Sequence, residues 1–101
     1  AVVSPFIPSN DFPNPQQVEL RLLVNGQVRQ NGTTAEMIWD LPALLAHAVQ
    51  FFTLLPGDLI FTGTPAGVGP LRPGDELSAT LAGTYAFRAM IEPDGILPRV
   101  N

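Results

Sequence analysis

Hydrophobic and polar positions change period several times along the chain, and each change marks an element. Val18-Glu-Leu-Arg-Leu-Leu-Val24 sets Leu20, Leu22 and Val24 on one side of an extended segment and Glu19 and Arg21 on the other. Asn25-Gly26 follows, and both residues tolerate the positive φ of a type I′ turn. Residues 18–30 are therefore expected to form an antiparallel hairpin, with Gln27–Gln30 as the return strand and Asn31-Gly32 ending it. Residues 33–39 show no clean period. Leu41, Leu44, Leu45, Ala48, Val49 and Phe52 then recur at helical spacing behind Asp40, a suitable N-cap, with Pro42 in the first turn. That spacing predicts an amphipathic helix over 41–52 with its apolar face on a sheet.

Two turns of one build follow, Leu55-Pro-Gly-Asp58 and Arg72-Pro-Gly-Asp75, with Pro second and Gly third as a type II turn requires. Each leads into an expected strand, Leu59–Thr62 and Glu76–Leu81. Thr84–Ile91 alternates as a last strand after a tight Ala82-Gly83 turn. Residues 93–101 contain Pro93, Gly95 and Pro98 and read as a tail. Residues 1–16 hold four prolines, which excludes a helix, while Val2, Val3, Phe6 and Ile7 make the stretch apolar enough to pack. The expected fold is mainly β (α+β), a mixed β-sheet roll or sandwich with one short amphipathic helix. Trp39, Phe51, Phe52, Phe61 and Phe87 are its expected core aromatics.

Composition narrows the function. The 101 residues fit one domain; 46% are hydrophobic and 14% charged, where roughly 25% charged is usual. That excludes a disordered chain and predicts that more of the surface meets protein than a free-standing small domain allows. Nine acidic residues face five basic ones, all Arg, for a net charge of −4. The chain has neither the electrostatic footprint of a nucleic-acid binder nor a polybasic patch for a membrane. Cysteine is absent, so thiolate chemistry and disulfides are excluded, and a single His47 excludes multi-His metal motifs. No apolar run approaches the ~20 residues of a membrane span. The N-terminal stretch, interrupted by Pro5 and Pro8, lacks the basic n-region of a signal peptide. A cytoplasmic location is expected.

Thr62-Gly-Thr-Pro-Ala-Gly-Val-Gly69 is the most informative segment. Its glycines suggest phosphate, but no Gly-Lys-Ser/Thr occurs, and Pro70 and Pro73 prevent the helix that a dinucleotide fingerprint must open. Two readings stand: a wide loop between strands, or a pocket wall aiming Thr62 and Thr64 hydroxyls and backbone amides at an anionic group. Elsewhere the residues read as structural. His47 is a helix residue, Ser4 and Ser9 lack a base, and Asp58 and Asp75 cap turn amides. Asp11 and Asp40 could pair with Arg on the surface. Arg29 reads as a solvent-facing strand residue.

Residues 55–70, Leu-Pro-Gly-Asp-Leu-Ile-Phe-Thr-Gly-Thr-Pro-Ala-Gly-Val-Gly-Pro, resemble the fumarylacetoacetate hydrolase family in its acylpyruvase and fumarylpyruvate hydrolase branch. Val3-Ser-Pro-Phe-Ile-Pro8, Val24-Asn-Gly-Gln27 with Arg29-Gln30, Thr34-Ala-Glu-Met-Ile38, Phe52-Thr-Leu54 and Arg72-Pro-Gly-Asp75 agree in order and spacing, so the resemblance covers roughly residues 1–91. It implies a metal-dependent enzyme that acts on 2-oxo acids with a second carbonyl and hydrolyses a carbon–carbon bond. Related members decarboxylate or isomerise in aromatic catabolism. In the family Mg²⁺ or Mn²⁺ is held by a Glu-x-Glu pair and an Asp, with a Lys and a His–Glu pair assisting. This chain has no Glu-x-Glu and no Lys. It matches the C-terminal half of the family's catalytic domain, and the metal ligands are expected upstream, on a longer chain or on a partner. The substrate-binding role that carries over falls on Thr64, with Gly63 and Pro65 shaping its loop; no residue here is assigned to catalysis or metal. Relatives imply a homodimer, or association with the missing half. From another class, a non-catalytic β module that binds a partner chain would explain the missing Glu-x-Glu.

Overall fold

The computed structural model describes residues 3–99, and its elements follow these changes of period. Strands β1 (Glu19–Val24) and β2 (Gln27–Thr33) precede helix α1 (Leu41–Ala48), and β3 (Glu76–Leu81), β4 (Tyr85–Glu92) and β5 (Gly95–Arg99) follow it. Short 3-10 turns occupy Ser9–Asp11, Pro15–Gln17 and Thr34–Glu36. The strands make one sheet in the order β2-β1-β3-β4-β5. The fold is mainly β with one helix, as expected. The sheet is antiparallel throughout rather than mixed, because three of its four neighbouring pairs are joined by tight turns, which can only reverse the chain. No helix among the described residues is long and apolar enough to cross a membrane.

The β1–β2 hairpin turns at Asn25 and Gly26, with φ of 51° and 82°. Register sets Leu20 opposite Leu81 and Leu81 opposite Tyr85, Leu22 opposite Ala79 and Ala79 opposite Phe87, and Val24 opposite Leu77 and Leu77 opposite Ala89. These residues share one face, since side chains directly opposite one another in a ladder project the same way. Val18, Val24, Ala89 and Ile91 are the buried apolar residues. The expected tail departs from the forecast. Pro93 and Asp94 reverse the chain so that Ile96 lies opposite Ile91, and Pro98 is tolerated because β5 is an edge strand. Residues 100 and 101, like Val2 at the other end, lie outside the described residues.

Asp40 caps α1 as expected, its Oδ1 accepting from the Ala43 amide at 2.9 Å. The helix ends at Ala48, short of the expected Phe52, and none of its residues is buried. Leu45, Val49, Phe51 and Phe52 are exposed, as are Trp39, Phe61 and Phe6. The expected aromatic core is thus not formed: Phe87 alone of its five members lies on the sheet's inner face, half-buried. Helical spacing fixes which residues share a face, but not what that face meets.

The C-terminal end of the long β2–β3 connection is locked to the tip of the β1–β2 hairpin. Asn25 Nδ2 donates to Asp75 Oδ1 and the Glu76 amide donates to Asn25 Oδ1, both at 2.9 Å. The Arg72 amide donates to Asp75 Oδ2 at 2.9 Å. The Arg72 amide and then the Asn25 side chain favour the carboxylate and hold Asp75 below its ordinary pKa. A folded pKa below the unfolded one contributes stability that is present above the unfolded value and lost as pH falls through the folded value. Thermal melts from neutral pH into the acid range are expected to show Asp75→Asn with a lower melting point at neutral pH and a shallower acid decline. A decline as steep as that of the unmodified chain would count against the lock.

Candidate functional site

Residues 53–75 contain no helix or strand, and the two Pro-Gly-Asp turns bracket them. Gly57 and Gly74 both sit at φ 92°, the conformation that the third position of a type II turn requires. The Asp58 carboxylate accepts from the Leu55 amide at 2.8 Å, as Asp75 does from Arg72. Both aspartates therefore do the capping expected of them. Leu59–Thr62 does not form the expected strand. A strand needs a ladder partner, and Leu59–Thr62 lies against none of the five strands in a ladder.

Side chains of β2 hold this loop. Leu22 pairs with Gln30 and Leu23 with Val28, so the register shifts and Arg29 is the extra residue on β2. A bulge of this kind bends the strand and re-aims the side chains beside it. Arg29 Nη1 donates to the Pro70 carbonyl at 3.3 Å. Gln30 Nε2 donates to Thr64 Oγ1 at 2.8 Å and to the Pro65 carbonyl at 2.9 Å. Arg29 is thus a loop anchor rather than the solvent-facing strand residue expected. Glycine is required where the two segments come closest. A Cβ on Gly67 (φ 103°) would collide with the Arg29 carbonyl oxygen, and one on Gly32 would lie 3.2 Å from Pro65 Cβ.

The loop forms one wall of a cleft of about 630 Å³. Residues 62–66 line it together with Leu20, Thr33, Thr34, residues 36–39 and Leu44. Gly63, at φ 87°, Thr64 and Pro65 therefore all stand on the cleft wall, Thr64 exposed and Pro65 half-buried. The lining contains threonine hydroxyls, apolar side chains and one ionisable group, Glu36, with no cationic residue. Such a wall can bind an anionic group through neutral hydrogen-bond donors. A second hollow of about 450 Å³ shares Thr34, Met37 and Ile38 with it and is edged by Asn14, Gln16 and Gln17.

Other singled-out residues lie away from this chemistry. The His47 ring makes edge contacts with Trp39 and Phe51, at centroid distances of 5.6 and 5.3 Å, as a helix residue. Ser4 Oγ donates to the Pro5 carbonyl. Asp11 accepts from the Tyr85 hydroxyl at 2.7 Å rather than pairing with Arg, and that bond raises the Tyr85 pKa. No group of three or more His, Asp or Glu side chains among the described residues could hold a metal ion. Gln30 carried no role in the sequence. Its only signal was its place beside Arg29 in a matched motif, since the bulge that aims it has no side-chain pattern of its own.

Gly67→Ala is expected to free the loop from β2. Amide hydrogen exchange should rise across residues 62–70 while β1, β3 and β4 keep their protection. Unchanged exchange in the loop would show that the close approach to Arg29 is not what fixes it.

The model of the fumarylacetoacetate (FAA) hydrolase C-terminal family matches residues 1–92. The chain is 52% identical over 82 residues to oxaloacetate tautomerase YcgM of Escherichia coli K12, covering 80% of this chain and 37% of that protein. It is 41% identical over 90 residues to mitochondrial oxaloacetate tautomerase FAHD1 of Pongo abelii, covering 89% of this chain and 41% of that protein. The chain thus spans about two fifths of the length of these curated relatives. Among solved structures it superposes on maleylpyruvate hydrolase from Sphingobium sp. SYK-6, in complex with manganese(II) and pyruvate. The TM-score is 0.81 at 31% identity, covering 85% of this chain and 33% of that one.

Proposed function

The chain belongs to the fumarylacetoacetate hydrolase family, and on that premise we propose that it supplies the carboxylate-binding wall of a catalytic domain acting on 2-oxo acids. The observation that carries this reading is the Thr62–Ala66 loop, anchored to β2 and lining, with its two threonines, a cleft whose lining has no cation. Thr64 donates to the substrate carboxylate, and Gly63 and Pro65 shape the backbone beside it.

The domain's divalent cation, Mg²⁺ or Mn²⁺, is held by carboxylates from outside these 101 residues; the described residues offer no such cluster. This chain's part is to bind and orient the organic acid. Residues 1–101 make up the C-terminal part of one catalytic domain. The reaction is hydrolysis of a carbon–carbon bond in an acylpyruvate or fumarylpyruvate-like acid, giving a carboxylic acid and pyruvate. A second reading, isomerisation or decarboxylation of a 2-oxo acid, is favoured by the higher identity to the two tautomerases than to the hydrolase. Acetylpyruvate and enol-oxaloacetate, given to the same catalytic domain, separate the two. Release of acetate and pyruvate marks the hydrolase, and faster enol-to-keto conversion without cleavage marks the tautomerase.

In that domain Thr64→Val is expected to raise KM for the 2-oxo acid about tenfold, or about 1.4 kcal/mol of binding, with a smaller change in kcat. A mere connecting loop predicts an unchanged KM and an altered melting point only.

Exposed apolar side chains from Ile38 (97% exposed) to Phe61 (74%) form a surface ready for burial against protein. We take the assembly to be a homodimer, or a union with the metal-binding part of the domain. The isolated 101-residue chain is expected to self-associate in sedimentation and to bind Mg²⁺ weakly in calorimetry, lacking clustered carboxylates. A monomer with tight Mg²⁺ binding would overturn both expectations.

A further inference from the structure

We propose that Gln30 is a positioning residue, which turns the Thr64 hydroxyl proton towards the carboxylate. The proposal rests on the role given to Thr64 above. Gln30 Nε2 donates to Thr64 Oγ1 and to the Pro65 carbonyl oxygen. A carbonyl oxygen can only accept, so the Pro65 bond fixes which end of the Gln30 amide faces the loop. Thr64 Oγ1 therefore accepts from Gln30.

A hydroxyl has one proton and two acceptor lone pairs. With one lone pair engaged by Gln30, the proton remains for a different acceptor, and the donated bond polarises it. A carboxylate, which can only accept, is the ligand such a hydroxyl suits. The sheet explains why Gln30 does this. The register shift at Arg29 sets Gln30 opposite Leu22, on the same face as Leu20 and Gly32. Gly32, without a side chain, admits Pro65 against that face. Arg29 holds the far end of the loop at Pro70, so Gln30 meets a segment already held in place.

Gln30→Glu keeps the shape and reverses the polarity. A carboxylate at Gln30 would accept the Thr64 proton, oppose the Pro65 carbonyl, and bring negative charge near the ligand. Gln30→Met keeps the bulk and removes the donor. The experiment measures steady-state kinetics with acetylpyruvate, and calorimetric affinity for oxalate, in the catalytic domain containing these residues. It uses Gln30→Glu, Gln30→Met, Thr64→Val and the Gln30→Met/Thr64→Val pair, each with a thermal melt.

Gln30→Met is expected to raise KM and weaken oxalate about fivefold with kcat nearly unchanged, and Gln30→Glu to do so about tenfold or more. On the Thr64→Val background, Gln30→Met should add less than about twofold, because its effect passes through the hydroxyl already removed. If Thr64→Val raises KM while the Gln30 variants leave it flat, or if the two effects multiply in full, this inference is overturned and the role of Thr64 stands. If Thr64→Val itself leaves KM and oxalate affinity unchanged, the role of Thr64 falls and this inference falls with it.

Discussion

A one-residue register shift in β2 is the constraint on which the cleft depends. It makes Arg29 the extra residue and brings Gln30 opposite Leu22. Without it, the register set at the turn would place Gln30 opposite Arg21 and Gly32 opposite Glu19, and both would pass to the other face of the sheet, because a slip of one residue exchanges the faces of a strand. The loop could then not be held by Gln30 and packed at Gly32 on the face of Leu20, which lines the cleft. A bulge costs a ladder position, and here the freed side chains anchor a segment that has no ladder of its own. The site's geometry is thus inherited from the sheet through side chains, since the loop itself forms no ladder with it.

That inheritance matters because the rest of the molecule encloses little. Among the described residues, the buried apolar ones are confined to Val18, Val24, Ala89 and Ile91, all at or within the sheet. The stretch from Ile38 to Leu71, which carries α1 and the loop, exposes most of its large apolar side chains. Apolar surface of this extent stays unfavourable in water until another surface covers it. The low charge content already pointed that way: 14% charged residues leave little to solvate such a face.

Legibility followed the range of the interactions involved. Asn25-Gly26 and the two Pro-Gly-Asp turns were readable because φ at one or two residues decides them, and the observed angles agree. The alternation in β1, β3 and β4 was readable because one face of each is apolar. Leu59–Thr62 misled because its β-forming residues satisfy the local criterion and lack a partner. β5 was missed because Pro93, Gly95 and Pro98 look like breakers, yet on an edge strand a proline costs no ladder bond. Aromatic residues suggested a core from composition, but Trp39, Phe51, Phe52 and Phe61 are exposed. Thr64 was reachable through family resemblance. Its hold by Gln30, 34 residues away in sequence, was not.

In the proposed role, a wall that binds a carboxylate with neutral donors would select by direction rather than by charge. An Arg or Lys there would attract any anion over a distance, including phosphate, whereas a hydroxyl and backbone amides act only at contact and only in the right direction. Selectivity then comes from orientation, and orientation requires that the donors be fixed before the ligand arrives. Fixing them is what Gln30, Arg29 and the close approaches at Gly32 and Gly67 accomplish together. The same bonds strengthen as water is excluded, since a hydrogen bond in a low-dielectric site is stronger than one in water. The loop lies within the stretch of greatest apolar exposure, so covering that stretch with protein would also dry the wall. In the proposed role, burial of the apolar surface and tightening of the carboxylate site would therefore be physically linked, through residues that no local pattern in the sequence joins.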